Sequence, residues 1–585
     1  MYSPDLKSSL KRVADRMLPS LYYILWWLAA LLIFLWFDIL WCIDSDFSVF
    51  TRYRSLYFIL PAAATLFTLP AILTRRWVWQ FAVLAALSAL LEANIIYFRT
   101  YYTHIPLSSY SLATNLNGFE GSVIEGMRAA DFGFIIILAG ACIIQIFCIR
   151  HPKKYNPLAY ILLLSALVAI NYSLFASRGG FRGRMEQLSG DVTALSVQPP
   201  VYTIFLPLLY EAMTAGAEPT QEKIEEARTW FEQHDALTAR HTPADSAPRR
   251  NLVLILCESL ESWPIGLSVE GREVTPFMNS LIADTANVYY NKDVLTQARA
   301  GRSIDGQLLY ISGRYPLRNG VFAKDHAREN YYSLPKAMKE TGAKTYIVSC
   351  DMPSTWNQAA FASAVGIDSL LLNSYWTMPE DEDWHDGIDI LDHRLLERCV
   401  DRMKAGKLWP EDEKTFMLVV THSGHNPFTL PLGLSPLQLK ESYPEWLKNY
   451  IEVTAYVDAV LEKFVNYIMS RPDAENTVIA ITGDHEGLGA HRREIDPCGP
   501  YKYVDSGNHT PLILINSPYI GHGECEITQV DIYSALLDAI GLYNTYEWRG
   551  MGRSPFDPTY SGTSRAEADS ALTVGDLWFQ IPSLR

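Results

Sequence analysis

The chain has 585 residues and a formal net charge of −15, from 64 Asp and Glu against 49 Lys and Arg. That length exceeds one ordinary domain. The acidic balance, with no concentrated Lys/Arg tract, argues against nucleic acid as a partner. A mean hydropathy of +0.02 conceals two unlike parts, an apolar one through residue 176 and a mixed, globular one after it.

Five stretches, 19–42, 55–74, 77–98, 132–149 and 157–176, are apolar and long enough to cross a bilayer, which takes about 20 helical residues. The first is too long for a cleavable leader and four more follow it, so it reads as an anchor. Lys7, Lys11, Arg12 and Arg16 precede the first stretch, Arg75 and Arg76 follow the second, and Arg150, Lys153 and Lys154 follow the fourth. The opposite loops carry fewer cations: Arg52, Arg54, Arg99 and Arg128. Because Lys and Arg gather on the cytoplasmic side, the amino terminus is expected inside and the large C-terminal part outside.

Residues 177–250 read as a juxtamembrane connector. "PPVYTIFLPLLYEAM" (199–213) is apolar but too short to span, and suits a helix lying at the membrane face. "TQEKIEEARTWFEQHDAL" (220–237) interleaves Ile224, Ala227, Trp230 and Phe231 with charges, as an amphipathic helix does. Residues 238–250 read as a linker. The expected organisation is a transmembrane domain over 1–176, the connector, and an extracytoplasmic domain over 251–585.

From 251 onward, β-branched runs alternate with helical patterns, which predicts a mainly parallel sheet covered by helices on both faces. The runs are 251–257, 344–350, 414–421, 476–482 and 511–516. Glu258 follows the first, Asp351 the second, His422 and His425 lie after the third, Asp484 and His485 after the fourth, and His509 precedes the fifth. Singly, each reads as a helix cap or a strand exit. Together they place Glu, His and Asp-His at the carboxyl edge of a sheet, where open α/β folds bind ligands. Glu258, Asp484 and His485 suit a divalent ion, which needs a further ligand; in a catalytic site that ligand is a nucleophile. Ser303, in "ARAGRSIDGQLL", stands at the start of a helical run where the dipole favours a phosphate, although a plain helix cap has the same appearance. Of the cysteines, Cys498 and Cys525 fall in polar extracytoplasmic segments where a disulfide is conceivable.

In the order "LVLILCES", "GRSIDGQLL", "STWN", "THSGHNPF", "GDHEG" and "NHTPLILINSPYI", these segments resemble the lipoteichoic acid synthase group of membrane phosphoglycerol transferases. That group lies in the alkaline phosphatase/sulfatase-like superfamily. The resemblance implies an N-terminal five-helix transmembrane bundle followed by a C-terminal α/β sulfatase-like domain, in the cytoplasmic membrane of a bacterium. It implies a metal held by Glu258, Ser303, Asp484 and His485, manganese or zinc with magnesium as a third option, and Ser303 as the nucleophile. His425 would contact the phosphate or the leaving oxygen, and Trp356, Asn357, His422, His509 and Arg302 would bind substrate. His422, His425 and His509 are also the residues from which a second metal site would be built. The implied reaction moves a phosphoglycerol-type group from a membrane phospholipid, through Ser303, to an envelope glycan, polymer or lipid. Where that group has Thr as the nucleophile, this chain has Ser303; where it has Arg two residues after the Trp, this chain has Gln358. Phosphoethanolamine transfer and phosphodiester hydrolysis are the related alternatives, and a membrane sensor without catalysis is the alternative of another class. True sulfatases are disfavoured, because "SIDGQ" lacks the Pro and Arg of their modification motif.

Overall fold

In the computed structural model the described residues are, isolated positions aside, 4–44, 59–101, 127–149, 157–176 and 219–584. The larger gaps in the last range are 245–248, 352–354, 379–389, 492–494 and 496–500. The chain divides into two compact units, one of N-terminal helices and one built on Glu218–Arg585.

In the first unit, helices Pro4–Asp44, Ile59–Phe67, Leu69–Thr74, Trp77–Tyr101, Gly133–Cys148 and Pro157–Ala176 occupy all five expected segments. Among the described residues only Leu21–Asp44, Trp77–Arg99 and Ala129–Phe147 are long and apolar enough to cross a membrane; Ile59–Thr74 and Tyr160–Ser173 are shorter. Local chemistry divides the second segment. The Thr65 and Thr68 hydroxyls donate back to the Pro61 and Ala64 carbonyls, and Pro70 has no N–H for the ladder. Trp26, Phe34, Phe37 and Leu91 fill the core of this unit. Arg99 is buried between Asp44 (Nε–Oδ2 2.8 Å) and Asp131 (Nη1–Oδ2 2.7 Å), and Arg128 reaches the second oxygen of Asp44 at 2.7 Å.

The second unit carries strands β1 (Asn251–Cys257), β2 (Ser268–Val269), β3 (Arg272–Glu273), β4 (Val288–Leu295), β5 (Lys344–Val348), β6 (Ser369–Leu371), β7 (Thr415–Val420), β8 (Thr477–Gly483), β9 (His509–Ile515), β10 (Gly521–His522) and β11 (Ile527–Thr528). β2 and β3 pair as a small hairpin, and the rest form one sheet in the order β10-β4-β9-β8-β1-β7-β5-β6, with β11 beside β4. β8, β1, β7, β5 and β6 are mutually parallel. β9 runs antiparallel to both β8 and β4, so the last of the five expected strands departs from the parallel pattern. Six strands are new to the sequence reading: β2, β3, β10 and β11 are two residues each, and the other two are β4 and β6. β4 contains Lys292 and Asp293, and its pairing register shifts between Asn291 and Val294, which breaks the apolar alternation; β6 is only three residues long.

The central strands are buried on both faces, as their continuous apolar runs require. Leu252, Leu254 and Leu256 pack with helices Ser303–Ser312, Gln529–Ala539 and Arg565–Gln580, while Val253, Ile255 and Cys257 pack with helices Asp392–Lys404 and Glu445–Met469. Each such aliphatic side chain contributes about 1.5–3 kcal/mol by leaving water. Helix Gln221–Thr238, expected in the connector, belongs to this unit. Ala227 is in its core, and His234 Nε2 lies 3.2 Å from the Gly552 carbonyl. Within the expected linker, His241 Nε2 lies 2.7 Å from Asp538 and the Arg249 N–H bonds the Ile540 carbonyl. The apolar stretch 199–213 lies largely, and Cys498 entirely, outside the described residues.

Candidate active site

The strands deliver their polar ends to one edge. β1 ends at Cys257 and Glu258 follows; β8 ends at Gly483, and Asp484 and His485 sit on a bend immediately after it. Ending the strand matters, because adjacent strand residues point to opposite faces and only a turning chain brings both side chains to one point. Antiparallel β9 begins at this same edge, so His509, though it opens its strand, lies level with residues that close theirs. Thr510 accepts the Gly483 N–H at 2.7 Å and donates to the Leu260 carbonyl at 2.9 Å, tying the three strand ends together.

Ser303 is the first residue of helix Ser303–Ser312, and Arg302 before it holds a positive φ of 47°. Asp305 fixes the turn by accepting the N–H groups of Arg299 and Gly301 at 2.9 and 3.0 Å. Gly306 permits the approach of the helix to β8: a Cβ there would stand 2.6 Å from the Asp484 carbonyl oxygen. On the other flank Gln529 donates to that same carbonyl at 2.7 Å. The outcome is a hydroxyl held over the strand ends. Ser303 Oγ donates to Glu258 Oε2 at 2.9 Å and lies 3.3 Å from His485 Nε2.

Glu258, Asp484 and His485 are buried, and a ligating atom from each lies within 4.8 Å of the others. Their charges are interdependent. Burial works to raise the Glu258 carboxyl, but the His485 imidazole beside it holds it well below the usual carboxylate range. Burial, then the charge of Glu258, pushes Asp484 up. Asp484 Oδ1 accepts the Ser259 and His485 N–H groups, both at 2.8 Å, whereas Oδ2 is buried without a hydrogen bond. A buried carboxylate oxygen left so is costly unless a cation satisfies it. His485 Nδ1 lies 2.9 Å from the Glu486 carbonyl. A proton on Nδ1 bonded there leaves the Nε2 lone pair facing the carboxylates, the usual arrangement of a ligating histidine. This donor set, two carboxylates, an imidazole and a hydroxyl, fits a divalent transition metal.

The remaining predicted residues divide. The Arg302 guanidinium pairs with the Glu486 side chain and backbone carbonyl and touches His485 Nδ1, so it braces the histidine from behind. His425 lies near Glu258 and His485; burial lowers its pKa, and Nδ1 is 2.8 Å from the Asn426 carbonyl. His422 Nε2 lies 3.3 Å from both Asp351 Oδ1 and Ser349 Oγ. His509 has both ring nitrogens engaged, by Asp505 at 2.7 Å and Glu526 at 3.0 Å. Trp356 and Asn357 hold positive φ values of 53° and 50° in a short 3-10 turn, and Asn357 donates to the Ala323 carbonyl. Sequence reasoning passed over Glu486, Asp305, Gln529 and Glu261. Glu486 and Asp305 carried a visible signal, their places in "GDHEG" and "GRSIDGQLL"; Gln529 and Glu261 act through contacts that join distant segments.

Residues 250–542 match the sulfatase family. The chain belongs to that family. Its lipoteichoic acid synthase-like character shows in residues 9–186, which match the lipoteichoic acid synthase N-terminal domain. Lipoteichoic acid synthase of Staphylococcus aureus is 22% identical over 482 residues, covering 78% of this chain and 71% of that protein. Among solved structures, the integral membrane lipooligosaccharide phosphoethanolamine transferase A of Neisseria meningitidis superposes with a TM-score of 0.52 at 13% identity, over 89% of this chain and 95% of that one. The lipoteichoic acid synthase LtaP of Listeria monocytogenes gives 0.48 at 17% identity, over 56% and 81%. Membership in a membrane-anchored branch of the family accords with the apolar helices that precede the sheet.

Proposed function

We propose that this sulfatase-family chain is a membrane-anchored phosphotransferase. It moves a phospho-alcohol group, phosphoglycerol first among the candidates, from a membrane phospholipid through Ser303 to a glycan, polymer or lipid of the envelope. The observation that carries this reading is Ser303 Oγ at a helix start, 2.9 Å from Glu258 and 3.3 Å from His485, beside the unbonded Asp484 Oδ2. Five spans, an internal amino terminus and an external domain from 251 onward belong to the same reading.

Glu258, Asp484, His485 and Ser303 are the residues that would hold the divalent ion, manganese or zinc, which when bound lowers the pKa of a coordinated hydroxyl and offsets phosphate charge. Ser303 then supplies the nucleophile. Its oxygen gives up its proton and forms a bond to phosphorus, the bond to the diacylglycerol-type alcohol breaks, and the departing oxygen takes up the proton. In the second half, an acceptor hydroxyl attacks the same phosphorus and Ser303 leaves. His425, whose pKa burial lowers and whose Nδ1 lies 2.8 Å from the Asn426 carbonyl, is the proton acceptor in this reading. The positive end of the helix dipole lies at Ser303, where the phosphate arrives.

Phosphoethanolamine is the second reading of the transferred group. Gln358 favours it: the side chain is neutral and buried, with Nε2 3.4 Å from Gln307 Oε1 and its own Oε1 without a hydrogen bond, at the position where a phosphoglycerol enzyme is expected to carry Arg. Intact-mass analysis of the purified full chain, after incubation with phosphatidylglycerol or phosphatidylethanolamine, separates the two. The expected result is an adduct on Ser303 with the mass of one phospho-alcohol, absent in Ser303→Ala, with turnover at least ~10³-fold lower in that variant. Release of free phospho-alcohol without transfer would make the chain a hydrolase, and unchanged turnover in Ser303→Ala would move the nucleophile elsewhere.

A further inference from the structure

Two loops supply the three carboxylate and imidazole ligands, Glu258–Trp263 after β1 and Asp484–Leu488 after β8. A metal site assembled from two loops is only as well formed as their registry. Below Cys257 and Gly483 that registry is set by the β1–β8 ladder, which ends at that pair. Beyond it the ladder is replaced by side chains. Ser259 N–H donates to Asp484 Oδ1 at 2.8 Å, and two residues farther on Glu261 closes the far end. One oxygen of Glu261, Oε1, accepts the N–H groups of both Gly487 and Leu488 at 2.9 Å; the other, Oε2, accepts the Trp263 indole N–H at 2.9 Å.

The surroundings leave this carboxylate little freedom. Glu261 is 1% exposed. Its backbone N–H donates to the Tyr450 hydroxyl at 2.9 Å, which donates in turn to the Ser259 carbonyl at 2.8 Å, and Trp263 stacks on the Tyr450 ring. Gly487 brings the loops into contact, since a Cβ there would lie 2.7 Å from both the Ser259 carbonyl and Tyr450. Each of these three groups is a donor to the Glu261 carboxylate. Gln cannot replace it without turning an NH₂ against one of them, and Asp is one methylene short.

We infer that Glu261 is a positioning residue for the metal centre: by bridging Gly487 and Leu488 to Trp263 it fixes the Asp484–His485 loop over Glu258. This rests on the proposed metal-dependent function but assigns a residue that function does not require to touch metal or substrate. Supporting groups around metal ligands typically cost 10–100-fold in affinity when removed.

The test is titration of the metal-free full chain with Mn²⁺, followed by electron paramagnetic resonance, with turnover measured in parallel. In Glu261→Gln we expect Mn²⁺ affinity to fall at least ~10-fold and kcat to fall with it, while KM for the lipid stays within about 3-fold. Saturating Mn²⁺ should recover part of kcat, which a merely structural lesion would not allow. Trp263→Phe, which removes only the donor to Oε2, should weaken Mn²⁺ about 2–5-fold, and it carries the test if Glu261→Gln does not fold. Wild-type affinity in a folded Glu261→Gln chain, or in Trp263→Phe should that be the only folded variant, overturns the inference. Failure of the unmodified chain to bind Mn²⁺ would instead overturn the metal reading beneath it.

Discussion

A hydrogen atom on Gly306 decides how closely the Ser303 helix meets β8. With the Asp484 carbonyl 2.6 Å from where a Cβ would stand, Gly306→Ala must push the helix away or twist it. We expect a loss of about 1–3 kcal/mol, the usual cost of overpacking, together with a larger loss of turnover than of stability, read by thermal melts and a phosphotransfer assay. An alanine variant with normal turnover would show that the close approach is unnecessary. His422 offers a test in pH. Burial works against its charged form, but Asp351 outweighs burial and raises the group to about 9. An unfolded histidine titrates near ~6.5. The folded pKa is therefore the higher one, so the charged pair's contribution to stability is complete below about pH 6.5 and is lost as the pH rises through about 9. The difference in Tm between the native chain and His422→Gln should shrink across that window; a difference independent of pH would separate His422 from Asp351.

Strands and loops show why the site needed so many distant segments. β1 and β8 are neighbours in space though they begin 226 residues apart in sequence, Asn251 against Thr477, and the loops leaving them are joined by hydrogen bonds. Chelation should loosen this junction first. Treatment with EDTA is expected to lower the Tm of the globular unit, and Mn²⁺ or Zn²⁺ at ~100-fold over Kd should restore about 2.7 kcal/mol, the linkage value for one site. Asp484→Asn, which blunts the buried unbonded oxygen, should abolish that metal-dependent increment. A Tm indifferent to chelator in the native chain would argue against a resident ion. The strand endings Glu258, His422 and Asp484-His485 were legible because each follows a run of β-branched residues with little else to explain it. β4 was not, since its bulge at Asn291–Val294 interrupts the pattern on which such reading depends.

Over the whole chain, the first unit is held by apolar packing and, among the described residues, by a buried ion-pair junction. Arg99 forms a bidentate pair with Asp131 and bonds Asp44, and Arg128 adds to Asp44; Arg99, Asp44 and Asp131 side chains are each at most 3% exposed. Removing the arginine would leave buried Asp131 without its guanidinium partner and Asp44 with Arg128 alone, and breaking a buried pair runs to about 3–5 kcal/mol. Arg99→Ala is expected to reduce the amount of folded protein recovered in detergent and to lower its Tm. Lys at the same position should rescue only partly, because one ammonium cannot reproduce a guanidinium fork. Full stability in Arg99→Ala would show that helix packing alone suffices.

The sequence by itself determined what depends on local pattern: apolar stretches suited to a membrane, the alternation that builds a covered sheet, and the polar residues at its strand ends. These are properties of neighbours in the chain, governed by periodicity and hydrophobicity. Only the tertiary structure decided what depends on long-range partners. It turned β9 antiparallel, so that His509 opens its strand at the edge where the others close. It drew helix Gln221–Thr238 into the globular unit by burying Ala227, and turned Arg302 toward Glu486. Most of all it decided what each carboxylate of one loop meets. Glu258 and Glu261 stand three residues apart in one loop, yet one faces Ser303 and the other receives the backbone of a loop more than 220 residues away, because the fold, not the local sequence, chooses what each side chain meets.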